Sequence, residues 1–172
     1  MSPTTARAVS MALWGGLVAA FFSSGGLLDW AAFIAWAGFL AAGGDSAAAK
    51  KTLPAFIFGA AVAWLAMLMR HQVAVAPDSM LWIPRAGIAA AVSILILCLV
   101  AKVDLISYLP ASLTGFALAF GAGSIPIQEL KGESRVLGVH MYNPFFQVSI
   151  SMVAGVVIGM VALKMATALE KK

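Results

Sequence analysis

The sequence is poor in charged residues, and this scarcity excludes most kinds of soluble protein. Only 10% of its 172 residues are charged and 62% are hydrophobic, whereas a soluble domain carries about 25% charged residues. So few polar groups cannot cover a soluble surface, and the expected partner is the lipid bilayer. The 11 basic residues fall at the ends of apolar runs, a pattern typical of membrane topology. We therefore expect no nucleic-acid partner.

Residues that carry catalysis or bind metals are also scarce. Cys98 is the only cysteine, so the chain has no internal disulfide and no Cys/His metal spacing. His71 and His140 lie at the edges of apolar runs, away from clustered carboxylates. The sequence contains no GxSxG, no HExxH and no phosphate-binding glycine loop. We therefore predict no enzyme activity, no metal and no cofactor.

Acidic residues are missing from the interior of the apolar runs. All seven lie near the ends of these runs, and Asp29, which precedes Trp30, is the nearest to being embedded. Ion-coupled pumps usually hold a titratable group deep in the bilayer, so this absence weakens a coupled mechanism. Asp29 is then either a residue at the mouth of a solute path or a carboxylate at headgroup level beside an interfacial tryptophan.

Apolar runs dominate what is present, and their number predicts the architecture. Six runs, bounded by glycine, proline or charged residues, predict an all-α, polytopic bundle of transmembrane helices in one domain. A span needs about 20 residues, so the two short first runs could also form a hairpin or a partly re-entrant segment. The predicted spans are 8–24, 27–43, 53–69, 84–101, 106–123 and 144–163.

The basic residues predict the orientation of this bundle. Six spans place both termini on one side, which then carries seven basic residues against four on the other. The positive-inside rule therefore predicts that both termini are cytoplasmic. The seven are Arg7, Lys50, Lys51, Lys102, Lys164, Lys171 and Lys172, and the four are Arg70, Arg85, Lys131 and Arg135.

Two of the runs begin with similar segments. Residues 53–63 and 109–119 share the pattern L-P-A-x-x-x-G-x-A-x-A, 56 residues apart. We expect Pro54 and Pro110 at helix starts, where a missing N–H is tolerated. Under the six-span topology the copies run in the same direction and form a possible parallel repeat. The alternative is a chance similarity in a chain rich in alanine and glycine.

If the repeat marks a shared centre, the two helices should approach each other there. Gly59 and Gly115 would allow close contact between backbones, and Ser112 and Thr114 would be the polar groups nearest a solute path. Ordinary hydrogen bonding between helices is the alternative role for these hydroxyls. The pore or substrate candidates are Leu53, Pro54, Leu109, Pro110, Ser112, Thr114, Asp29 and Trp36.

The sixth run carries a stripe of small and polar residues. Gln147, Ser151, Gly155 and Gly159 recur every four residues and share one helix face. Gly155-x-x-x-Gly159 is a close-approach motif that packs either within the chain or between subunits. We favour a subunit contact, and therefore a homo-oligomer. Gly59 and Gly115 are the further candidates for helix packing.

Two segments resemble a known family. Residues 26–33 and 36–39 resemble the second-span signature of the YcdZ-like bacterial inner-membrane proteins, and residues 107–123 are similar to a later segment of that family. Ala111 stands where the family has glycine after the proline, and the last loop is longer. The resemblance implies a small multispanning protein of the bacterial inner membrane and supplies no substrate. The Leu-Pro pairs also resemble, more faintly, the Leu-Pro boxes of urea channels.

These observations favour a channel or facilitator for a small, mostly uncharged solute, of the size of urea, another amide or a weak acid. A non-transporting membrane scaffold or regulatory subunit is the alternative, and an ion-coupled transporter is the third hypothesis. A continuous polar-lined path would favour the channel, and a dry, closed bundle would favour the scaffold.

Overall fold

The described part of the protein consists of helices joined by turns and loops. The computed structural model describes residues 1–22, 24–72, 82–125 and 134–171, with the backbone alone at 71–72 and 82–86. No strand occurs in these residues, which confirms the all-α class. The helices are α1 (Pro3–Phe21), α2 (Asp29–Ala41), α3 (Ser46–Gln72), α4 (Trp82–Val100), the short 3-10 helix η1 (Asp104–Ile106), α5 (Leu109–Ser124) and α6 (Pro144–Glu170).

Side-chain caps set where several helices begin. The Ser2 hydroxyl accepts a hydrogen bond from the Thr5 N–H (3.2 Å) at the start of α1. The Asn143 side chain accepts one from the Phe145 N–H (3.0 Å) at the start of α6. Both helices have proline in their first turn, where its lack of an N–H removes no helical bond.

The predicted start of the third span is wrong. Pro54 lies inside α3, which begins at Ser46. The Asp45 carboxylate accepts a hydrogen bond from the Ala48 N–H (2.7 Å) and caps the helix there. The alanines that follow have a high helix propensity, so the helix is established before the proline. Pro110, by contrast, lies in the first turn of α5 as expected.

Other predicted bounds also shift. The fifth span begins later than expected, because η1 occupies residues 104–106. The last span continues past Lys164 to Glu170. The second span is shorter than predicted, because turns at Gly26 (φ 73°) and Gly43 (φ 125°) lie on either side of it. Residues with a side chain rarely adopt such positive φ angles.

Hydrogen bonds to α6 give the directions of the first two helices. Ser10 near the start of α1 donates to the Ala162 carbonyl near the end of α6 (2.7 Å), so these two helices are antiparallel. The Leu28 N–H, just before α2, donates to Ser151 in the first half of α6 (2.9 Å), so α2 runs along α6. We call the end of the bundle that contains Arg7 the basic end.

The charged residues collect at the two ends of this bundle. Lys131 and Lys172 lie outside the described residues, as does the Arg85 side chain. The opposite end carries Arg70 and Arg135. The described basic residues at the basic end are Arg7, Lys50, Lys51, Lys102, Lys164 and Lys171.

The sides of the bundle between these ends are apolar. Met69 is 67% exposed, Ile88 65% and Leu95 57%. Two helices of the described chain are long and apolar enough to cross a membrane: Ser46–Arg70, with a mean hydropathy of 1.9, and Pro144–Glu170, with 2.1. Both helices exceed the roughly 20 residues that a membrane span needs.

Candidate functional site at the crossing of two helices

The two L-P-A helices meet at their glycines. A Cβ atom added to Gly59 of α3 would collide with the Ser112 carbonyl of α5, and one added to Gly115 would collide with the Phe56 carbonyl of α3. Each glycine therefore lies against the carbonyl three residues before the glycine of the other helix. The contact is reciprocal and joins backbone to backbone.

The two helices are parallel and in register with the sequence repeat. The Lys51 ammonium lies 4.8 Å from the centroid of the Tyr108 ring before the crossing. Beyond it, Gly123 lies against the Met67 sulfur. These pairs are 57 and 56 residues apart in sequence, within one residue of the 56-residue spacing of the repeat. A two-fold relation between α3 and α5 therefore holds over more than four helical turns.

The two hydroxyls predicted to lie near a path differ. Ser112 is 1% exposed, and its hydroxyl has no hydrogen-bond partner in the described structure. Thr114 is partly exposed, and its hydroxyl donates to the Pro110 carbonyl of its own helix (2.8 Å). Ser112 is thus the polar group with unused hydrogen-bonding capacity at the crossing. Phe56 occupies the equivalent position in the other copy.

The Leu-Pro pairs lie about one turn before the crossing. Leu53, Pro54 and Leu109 are half-buried, whereas Pro110 is exposed. Deeper in the bundle the α3 and α5 backbones touch, because neither glycine has room for a single added carbon. No solute can pass between the two helices at that level.

The stripe on α6 packs within the chain. Gly155 lies against the Ala32 carbonyl of α2, and a Cβ on Gly159 would lie 2.6 Å from Cδ1 of Trp36. The Ser151 hydroxyl donates to the Gln147 carbonyl (2.7 Å) and accepts from the Leu28 N–H (2.9 Å). The preference for a subunit contact at this stripe is therefore wrong, because α2 covers it.

The remaining two site candidates lie on α2. Trp36 is buried, stacks on Phe33 with ring centroids 6.4 Å apart, and its indole N–H has no partner in the described residues. Asp29 is half-buried at the first residue of α2 and accepts a hydrogen bond from the Trp30 N–H (2.7 Å). A carboxylate there interacts favourably with the helix N-terminus. The structure places Asp29 at the end of the bundle opposite the basic end.

A buried arginine at that same end is the feature that sequence reasoning missed. Arg135 is only 8% exposed. Its Nε donates to the Tyr142 carbonyl (2.6 Å) and its Nη1 to the carbonyls of Ile125 (2.9 Å) and Ala122. Its Nη2 donates to the Gln147 side-chain oxygen. We call Arg135, Gln147 and these carbonyls the Arg135 cluster.

The Arg135 cluster connects four segments. The Gln147 amide donates in turn to the Gly26 carbonyl in the turn between α1 and α2 (2.6 Å). Burial lowers the pKa of Arg135, although a guanidinium stays protonated at neutral pH. No carboxylate of the described residues forms an ion pair with it. From the sequence, Arg135 was read only as a topology residue, because burial of a loop side chain depends on distant segments.

The described structure is that of an all-α protein with two helices long and apolar enough to span a membrane. The sequence matches the family described as "Protein of unknown function (DUF1097)" over residues 8–167. The chain belongs to that family, which confirms the expectation of a family of unknown function. No curated protein and no solved structure matches the chain. The YcdZ-like name and the likeness to urea channels stay predictions.

Proposed function

We propose that this protein is a six-span integral membrane protein of the bacterial inner membrane, with both termini in the cytoplasm. The observation that carries this proposal is the separation of polarity. Apolar side chains cover the sides of the bundle, while the described basic residues lie at its ends, six at the basic end against two at the other. Lipid covers such apolar sides, and the excess of basic residues marks the cytoplasmic face.

The lengths of the helices are compatible with this arrangement. Helices α3 and α6 have 27 residues each, or about 40 Å of helix, which exceeds the hydrocarbon thickness of about 30 Å. Helix α2 has only 13 residues, but it packs along α6, and the flanking turns add to its reach. Reporter fusions at Lys172 test the orientation. Activity only with a periplasmic reporter would contradict it.

For its activity, we propose that the protein lets a small, mostly uncharged solute cross the bilayer. Ser112 supports this, since its buried hydroxyl, at the crossing of α3 and α5, has no hydrogen-bond partner among the described residues. Buried polar groups normally have a partner, and a small amide, a weak acid or water would supply one. Because α3 and α5 touch at their glycines, the path would run beside their crossing, next to the Ser112 hydroxyl.

Solute flux into liposomes tests this proposal. We expect uptake of small amides, weak acids or water above that of empty liposomes, and slow passage of ions, because few polar groups replace their hydration shell. Ser112→Ala should reduce this uptake. Gly121→Ala is the matched control on the same helix, since a Cβ there meets nothing within 4 Å. Uptake equal to that of empty liposomes across the panel would contradict the proposal.

A non-transporting scaffold or regulatory subunit is the second candidate, and one observation favours it. The α3 and α5 backbones are in direct contact, so the centre of the bundle is closed where they cross. Absence of flux together with recovery of a second membrane protein after cross-linking would select this role. Coupled transport gains no support, because no described carboxylate lies in the middle of an apolar helix.

We also propose that the protein forms a homo-oligomer, through an interface that is not the α6 stripe. The α6 stripe that favoured a homo-oligomer is covered by α2, so a second copy would have to use another face. Mass measurement in detergent tests this directly. A monomeric mass in several detergents would contradict the proposal.

A further inference from the structure

A groove opens on the surface at the basic end of the bundle. It has a volume of about 460 Å³. It lies between the first turns of α1, the glycine turn after α2 and the last turns of α6. Arg7, Gly43, Gly44 and Thr167 supply its polar part.

Among the described residues that line this groove, Arg7 is the only charged one. Within the described chain its guanidinium makes no hydrogen bond or ion pair, in contrast to Arg135. Its side chain is exposed, but the helix that carries it is anchored, because the preceding residue, Ala6, is fully buried, and Ser10, one turn later, donates to the Ala162 carbonyl (2.7 Å). An exposed guanidinium with free donors, carried by an anchored helix, is suited to bidentate binding of a phosphate group.

The surroundings of the groove favour an anion. The nearest carboxylate on the glycine turn is that of Asp45, and it already accepts the Ala48 N–H (2.7 Å). Six described basic residues lie at this end, against three acidic ones, Asp45, Asp104 and Glu170. The electrostatic potential of the basic end is therefore positive, which attracts anionic ligands.

The other part of the groove is apolar. Met11, Leu40 and Leu163 line it and are each partly buried. Helix α1 then continues toward the middle of the bundle with exposed Leu13 and Leu17. A ligand with a phosphate at one end and a hydrocarbon chain at the other would match both parts. A free inorganic phosphate would leave the apolar wall unused.

We propose that this groove binds the headgroup of an anionic phospholipid, with Arg7 on the phosphate and Met11, Leu40 and Leu163 against the start of an acyl chain. The inference depends on the membrane location proposed above. Under the proposed topology the groove opens at the cytoplasmic leaflet, where basic pockets between helices bind anionic headgroups.

Lipid binding to the purified full-length protein in detergent tests the proposal. A short-chain phosphatidylglycerol, the matching phosphatidylcholine and inorganic phosphate are titrated in turn, and bound lipid is counted by native mass spectrometry. We expect the anionic lipid to bind at least fivefold more tightly than the zwitterionic one. Arg7→Gln should weaken the anionic lipid about fivefold, as one basic residue near an anionic surface contributes about 1 kcal/mol.

Lys102→Gln is the matched control, because it removes one exposed positive charge from the same end outside the groove. Leu163→Trp should weaken binding by filling the apolar wall. Equal losses for Arg7→Gln and Lys102→Gln would overturn the proposal in favour of diffuse attraction. Full competition by inorganic phosphate at equal concentration would overturn it in favour of a free anion. Cell fractionation tests membrane location separately, so failure of that premise is distinguishable from failure of the groove.

Discussion

The two ends of α5 make different kinds of contact with the rest of the bundle. Its first half meets α3 through Gly115 and Gly59, where the backbones touch and the buried Ser112 hydroxyl has no partner among the described residues. Its last turn meets the Arg135 cluster, where a guanidinium donates to the carbonyls of Ala122 and Ile125. The first contact requires glycines, which have no side chain between the two backbones. The second requires the N–H donors of the Arg135 guanidinium. The two should therefore respond to different substitutions.

Adding bulk at the crossing should have the largest effect. Gly115→Leu places a side chain where the Phe56 carbonyl lies, and we expect a loss of stability of about 3 kcal/mol or more, since overpacking against backbone cannot be relieved by a rotamer change. Gly59→Leu should behave alike. The measurement is thermal unfolding in detergent with folded yield. Gly121→Leu on the same helix is the control and should be tolerated, because that position is open.

Removing donors from the Arg135 cluster should have the next largest effect. Arg135→Met leaves buried acceptors without their donor, among them the Gln147 side-chain oxygen, and we expect a loss of about 2–3 kcal/mol. Lys102→Met, an exposed position, should change stability by less than about 0.5 kcal/mol. Unfolding of both variants under the same conditions checks this. Equal stabilities would mean that the cluster contributes nothing.

Two glycines on α6 compare a backbone neighbour with a side-chain neighbour. Gly155→Ala meets the Ala32 carbonyl, whereas Gly159→Ala meets the Trp36 ring, 2.6 Å from its Cδ1. A ring can rotate and a packed backbone cannot, so Gly155→Ala should be the more destabilising, by about 1 kcal/mol. Comparison of the two melting temperatures tests the order, and a reversed order would count against the α2–α6 contact described above.

The smallest effect should come from Ser112. Because its hydroxyl has no described partner, Ser112→Ala should be neutral or stabilise by up to about 1 kcal/mol. Ser10→Ala is the control, since its hydroxyl donates to the Ala162 carbonyl (2.7 Å), and it should lose about 1 kcal/mol. A clear loss for Ser112→Ala would show that a bound molecule satisfies the hydroxyl in the folded protein.

The crossing of α3 and α5 could be predicted from the sequence, because it depends on the repeated L-P-A segments and their glycines. The two L-P-A segments are 56 residues apart, and the helices that carry them pack in the same register. The beginning of α3 was placed wrongly, since the proline was read as a start signal while the stronger cap at Asp45 and the alanines after it decided the outcome.

The sequence did not reveal which segment packs against the small residues of α6. The stripe at Gly155 and Gly159 shows that something packs closely, but the pattern is the same for a helix of this chain and for a second copy. Arg135 was missed as a site residue for a related reason. Its burial arises from carbonyls at the end of α5 and from Gln147 on α6, which no local pattern around residue 135 reveals.

The parallel alignment of α3 and α5 has an electrostatic consequence. Helix dipoles that point the same way repel, with about half a positive charge at each N-terminus and half a negative charge at each C-terminus. Antiparallel α6 offsets part of this repulsion along its length. At the C-terminus of α5, Arg135 places a full positive charge on the terminal carbonyls. The buried cation thus has a counter-charge made of peptide dipoles, which explains how it is accommodated without a carboxylate among the described residues.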